Sequence, residues 1–152
     1  MEAMSNTTSI INDIIETLKD GQQGFRAAAE DVQSSDLKTL FSRYSLQRSQ
    51  FAGELQTIVQ SQGESEPETK GSIAGAVHRG WIDLKAALTN KDEHAILAEC
   101  ERGEDFAVSA YEKAINDESL PADVRETLRA QFVEIEAAHD RIRDLRDSLA
   151  VK

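Results

Sequence analysis

The sequence predicts an all-α fold: four long amphipathic helices in a bundle, with a shorter helix in the connection between the second and third. Three observations lead there. Apolar residues recur three and four apart in four extended stretches, the spacing that puts them on one face of a helix. The chain of 152 residues has only two prolines and no run of alternating apolar and polar residues, so little of it suits strands. Its polar breaks are short, except for one near the middle.

The first helix carries Ile10, Ile11, Ile14, Ile15, Leu18, Phe25, Ala29 and Val32 behind the capping residues Asn6-Thr7-Thr8. Ser34-Ser35-Asp36 breaks it and caps the second, whose stripe is Leu37, Leu40, Phe41, Tyr44, Phe51, Leu55, Ile58 and Val59. So short a connection makes the two antiparallel neighbours. The polar stretch 62–71 reads as a loop. A shorter helix over 73–88 follows, with Ile73, Val77, Trp81, Leu84 and Leu88 on one face. Within it Gly80 costs about 1 kcal/mol relative to alanine, which predicts a close helix contact there. Trp81 is expected to cap the apolar core, its indole N–H reaching a partner. After a break at Asn90-Lys91-Asp92 the third long helix presents Ile96, Leu97, Cys100, Ala107, Val108, Tyr111 and Ile115. Pro121 suits the first turn of the fourth, which presents Val124, Leu128, Phe132, Ile135, Ile142, Leu145 and Leu149. If the 73–88 segment returns the chain along the bundle, the second and third long helices run parallel; a simple up-and-down array is the other arrangement.

One domain, 5–150, is the expectation for this length, with residues 1–4 an N-terminal extension. A net charge of −11 argues against nucleic acid or an anionic membrane surface as partner. No apolar run approaches the roughly 20 residues of a membrane span. A lone cysteine, Cys100, on an apolar stripe reads as a buried core residue of a reducing compartment, and the expected location is cytoplasmic.

Each long helix places a polar residue on its apolar stripe, where burial demands compensation. These are Gln22, Arg48, Glu104 and, on the last helix, His139 with Glu136 at the stripe's margin. Gln22 and Arg48 are equidistant from the Ser35 turn, and Glu104 and Glu136 are similarly spaced about Ser119–Leu120, so all five are expected in one layer near mid-bundle. Two readings of that layer stay open. Glu104, Glu136 and His139 could ligate one iron, manganese or zinc ion, since two carboxylates and an imidazole suit such metals. Alternatively, the Arg48 guanidinium takes the metal's space and pairs with Glu104 and Glu136.

Gly103-Glu104-Asp105 followed by Tyr111, together with Ile135-Glu136-Ala137-Ala138-His139, resembles the third and fourth helices of ferritin-like and rubrerythrin-like bundles. Gly24-Phe25, Gln47-Arg48, Phe51-Ala52, Glu54-Leu55 and His78-Arg79-Gly80-Trp81 extend a similarity to an uncharacterised bacterial family of ferritin-like four-helix bundles, a domain of unknown function. The resemblance implies that fold and, in its metal-binding members, a di-metal site drawing a glutamate from each of two helices and Glu-x-x-His from each of the other two. Here Gln22 stands at the first-helix position, and Arg48 with Phe51 at the second-helix pair, so half the ligand set is missing. The expected function is therefore non-catalytic: a structural or stress-associated protein, a homodimer with its protein partner unknown, whose metal site has decayed and which needs no cofactor. The alternative is a metalloprotein with the reduced site just described, used in redox or oxygen-linked chemistry.

Overall fold

The computed structural model describes residues 6–61, 81, 84–90 and 92–150. Among them lie five helices and no strand: α1 (Asn6–Asp31), α2 (Ser35–Ser61), α3 (Leu84–Asn90), α4 (Glu93–Ile115) and α5 (Ala122–Ala150). Of the segment expected to be helical over 73–88, residues 73–80, 82 and 83 lie outside the described residues, and so does Gly80.

The helix ends follow from local chemistry. Ser34 caps α2: its Oγ accepts from the Leu37 N–H at 3.2 Å and its carbonyl from Lys38 N–H at 3.0 Å. Lys38 reaches back, its Nζ donating to the Ala29 carbonyl at the end of α1 at 3.2 Å. Asp92 caps α4 by accepting from Ala95 N–H at 3.3 Å. Between α4 and α5, Arg125 donates to the carbonyls of Ile115 and Asp117 at 2.8 and 2.7 Å, satisfying groups that the end of α4 leaves without a helical partner.

Cross-helix pairs give the directions. Ser34 N–H meets the Glu93 carboxylate at 3.1 Å, whereas Ile10 and Asp117 border one hollow at the other end, so α1 and α4 are antiparallel neighbours. Tyr111 meets Gln131 and Asp105 meets His139, so α5 returns along α4. Gln131 also meets Glu54, while Arg43 and Arg141 border one groove, so α5 is antiparallel to α2 as well. It follows that α2 and α4 run in the same direction, on opposite corners of the bundle. Ser61, the end of α2, and Glu93, the start of α4, therefore lie at opposite ends of the bundle.

The core divides into two clusters along the bundle axis. One gathers Ile11, Ile15, Leu18, Leu55, Leu128 and Ile135; the other gathers Phe25, Phe41, Trp81, Ile96, Leu97 and Ile142. Trp81 is wedged between α1 and α4. A Cβ on Gly24 would lie 2.7 Å from two of its ring atoms, and one on Gly103 2.6 Å from two others. The glycines that admit the indole are thus mid-helix residues of two long helices. The Trp81 edge meets Phe25 at 77° with ring centroids 5.2 Å apart, an edge-to-face contact.

Candidate functional site

Arg48 and Glu104 lie between the two clusters. Arg48 follows Tyr44 by one helical turn on the inward stripe of α2, and Glu104 follows Cys100 likewise on α4, so each helix drives a charge into the bundle's centre. There they form a bidentate pair: Nη1 donates to Oε1, and Nη2 to Oε2 at 2.7 Å. Both side chains are 1% exposed. The remaining edge of the guanidinium is held by Gln47, whose Oε1 accepts from Nε at 3.0 Å. Its flat face lies over Phe25, 5.2 Å from the ring centroid. Burial works against the charged guanidinium, but the Glu104 carboxylate outweighs it and holds the Arg48 pKa above its ordinary value.

The other residues expected in this layer lie elsewhere. On α1 it is Gly21 that faces Arg48; a Cβ there would sit 3.6 Å from Nη1, an ordinary contact. Gln22, next along, is half-buried; its backbone carbonyl accepts from Ser45 Oγ at 2.9 Å. Its Oε1 is buried without a hydrogen-bond partner among the described residues. Glu136 is exposed. It stands one residue after the fully buried Ile135, about 100° round the helix, which carries it off the inward face. His139, four residues after Ile135, stays near that face but turns toward the outer edge of α4. Glu104, Glu136 and His139 therefore do not converge, and both oxygens of Glu104 are already taken by Arg48, so this set does not fit a metal ion.

His139 instead joins a cluster the sequence reading missed. Its Nε2 lies 2.6 Å from Asp105 Oδ1 and 3.8 Å from Glu101 Oε2, and its Nδ1 lies 3.1 Å from Asp140 Oδ1. Glu101 also accepts from Arg146, and Arg143 reaches Asp140 at 3.4 Å. Partial burial pulls the imidazole pKa down, but hydrogen bonds to Asp140 and Asp105 and the charges of Asp105 and Glu101 prevail, raising it above 6.5. Ligand atoms of Glu101, Asp105 and His139 all lie within 4.8 Å of one another. The available signal was the four-residue spacing of Glu101 and Asp105, which puts both on the edge of α4 that meets α5.

A second polar chain, buried at Tyr111 and Gln131 and ending at the exposed Glu54, links α4, α5 and α2. Tyr111 O–H donates to Gln131 Oε1 at 2.7 Å, and Gln131 Nε2 donates to Glu54 at 2.8 Å. Tyr111 is fully buried, and that burial pushes its phenol pKa well up, so it stays a donor. Cys100 is buried too, as expected, and its thiol pKa is raised for the same reason.

No curated protein matches the chain. Residues 6–117 match the family described as a domain of unknown function, DUF2383. That span takes in α1, α2, α3 and α4, and with them Arg48, Glu104 and the two glycines packed on Trp81. With most of its length covered by the match, the chain belongs to the DUF2383 family.

Proposed function

We propose that the protein is a non-catalytic, ferritin-like helical bundle in which an ion pair fills the core position that a di-metal site occupies in metal-binding bundles of that kind. The observation that carries this reading is the Arg48–Glu104 pair: both carboxylate oxygens are engaged, and the fixed guanidinium charge opposes a divalent cation at the same place. The parallel course of α2 and α4, which requires one long crossover, supports the ferritin-like topology. A scaffold of this kind acts through its surface, as a structural or stress-associated protein. The reading includes a homodimer, supported by the exposed apolar side chains of Leu46, Phe106 and Val133. It also includes a cytoplasmic location, supported by the single buried thiol and by the absence, among the described residues, of any helix long and apolar enough to cross a membrane.

Elemental analysis after exposure to Fe(II), Mn(II) and Zn(II), beside a Glu104→Gln variant, tests it. The expected result is no stoichiometric metal that depends on Glu104, with the variant destabilised. Near-stoichiometric metal lost in Glu104→Gln would overturn the reading. A second reading rests on the convergence of Glu101, Asp105 and His139, whose donor types suit zinc, iron or manganese. Metal retained in Glu104→Gln but lost in His139→Ala would favour it.

A further inference from the structure

Of the four long helices, α2 and α5 are the neighbours that touch least, and a groove opens between them. Arg43 and Arg141 border both of its hollows, about 320 and 450 Å³ in volume. In a chain of net charge −11, arginines are expected to find carboxylates, and Arg26, Arg102, Arg143 and Arg146 each do. Arg43 and Arg141, like Arg125 and Arg129, form no ion pair with a described carboxylate, and they are the two that border the groove. Asp36 and Glu134 border the groove without pairing to either.

Two further donors face the larger hollow. Tyr44 borders it, and the Tyr44 hydroxyl has no hydrogen-bond partner among the described residues. Burial and the Glu104 charge raise its pKa, and the charges of Arg141, Arg48 and Arg43 work the other way. Gln47 also borders the hollow. Its Oε1 is committed to Arg48, which leaves the Nε2 amide as the donating end. A hydroxyl with no protein acceptor is free to donate to a group bound in the hollow.

We propose that this α2/α5 groove binds an oxyanion, a phosphate or carboxylate group, that accepts from Arg43, Arg141, Tyr44 and Gln47. Guanidinium forks match both groups. The groove lies across the bundle from the α1/α4 side and uses neither Glu104 nor His139, so it is independent of the metal question.

The test titrates the full chain with inorganic phosphate and, separately, with acetate, at constant ionic strength, following backbone amide shifts by NMR. The expected result is saturable shifts confined to residues around 40–47 and 134–141. Arg43→Gln/Arg141→Gln should weaken the affinity at least about tenfold, and Tyr44→Phe should weaken it less. Arg26→Gln, at an exposed pair with Glu30, should leave it unchanged. Saturation by phosphate alone identifies a phosphate-bearing ligand, and saturation by acetate a carboxylate-bearing one; either supports the site. Shifts that do not saturate, or that survive the double substitution with circular dichroism unchanged, overturn it.

Discussion

Replacing Glu104 with glutamine keeps the side chain's shape and removes one charge from the centre of the bundle. Arg48 would then be a cation 1% exposed, with an amide where its carboxylate stood. Breaking a buried pair from one side costs about 3–5 kcal/mol, because the uncompensated ion stays in a low-dielectric interior. Against the roughly 5–15 kcal/mol total of an ordinary domain that is about a fifth of the stability or more. The corresponding fall in melting temperature is about 10 °C for a chain of this size. Arg48→Met should cost a similar amount from the other side. The double variant Arg48→Met/Glu104→Leu should recover most of the loss, since replacing both charges with apolar groups is often neutral or better. Urea denaturation followed by far-UV circular dichroism measures all four proteins on one scale. A Glu104→Gln protein within about 1 kcal/mol of the parent, or a double variant no more stable than Arg48→Met alone, would refute the account of the pair.

Gly103→Ala and Gly24→Ala should each destabilise by about 1–3 kcal/mol, against alanine's better helix propensity, because the new methyl meets the indole; Trp81→Leu should relieve much of that cost in the same denaturation assay. Tyr111→Phe removes the donor to Gln131 and should cost about 1–3 kcal/mol, again by denaturation. His139 has a folded pKa above its unfolded value, so its contribution is full below about pH 6.5 and is lost as pH rises through the folded pKa. Asp105, Asp140 and Glu101 face the ring, with Arg143 and Arg146 behind them. An imidazole NMR titration with a midpoint below 6.5 would contradict this. Cys100 should resist a disulfide reagent in the native protein and react once denaturant is added.

The long helices were legible because their apolar spacing is regular and their breaks carry capping serines and aspartates. Arg48 and Glu104 were legible for the same reason: a charge at the centre of an apolar stripe has nowhere to go but inward. Positions at a stripe's margin were not. Glu136 and His139 sit on either side of that margin, and about 60° of helix rotation separates a side chain in solvent from one turned toward α4. Gln22 was misplaced for a similar reason, since height along a hairpin does not say which of two neighbouring residues points across it. Gly24 and Gly103 carry a packing signal of their own. A mid-helix glycine costs about 1 kcal/mol, and two of them, on different helices, mark where something large comes close.

Arg48 and Glu104 stand on opposite corners of the bundle, and each belongs to a different helical hairpin. Hydrocarbon packing above and below them is tolerant, and an aliphatic stripe slid by one helical turn still finds aliphatic neighbours. A bidentate ion pair is not tolerant: a slip of about 5.4 Å would part the two charges and leave each among apolar side chains. The pair therefore works as an index mark. It fixes the axial register of one hairpin against the other, a task that polar residues in otherwise apolar helical seams perform at some cost in stability.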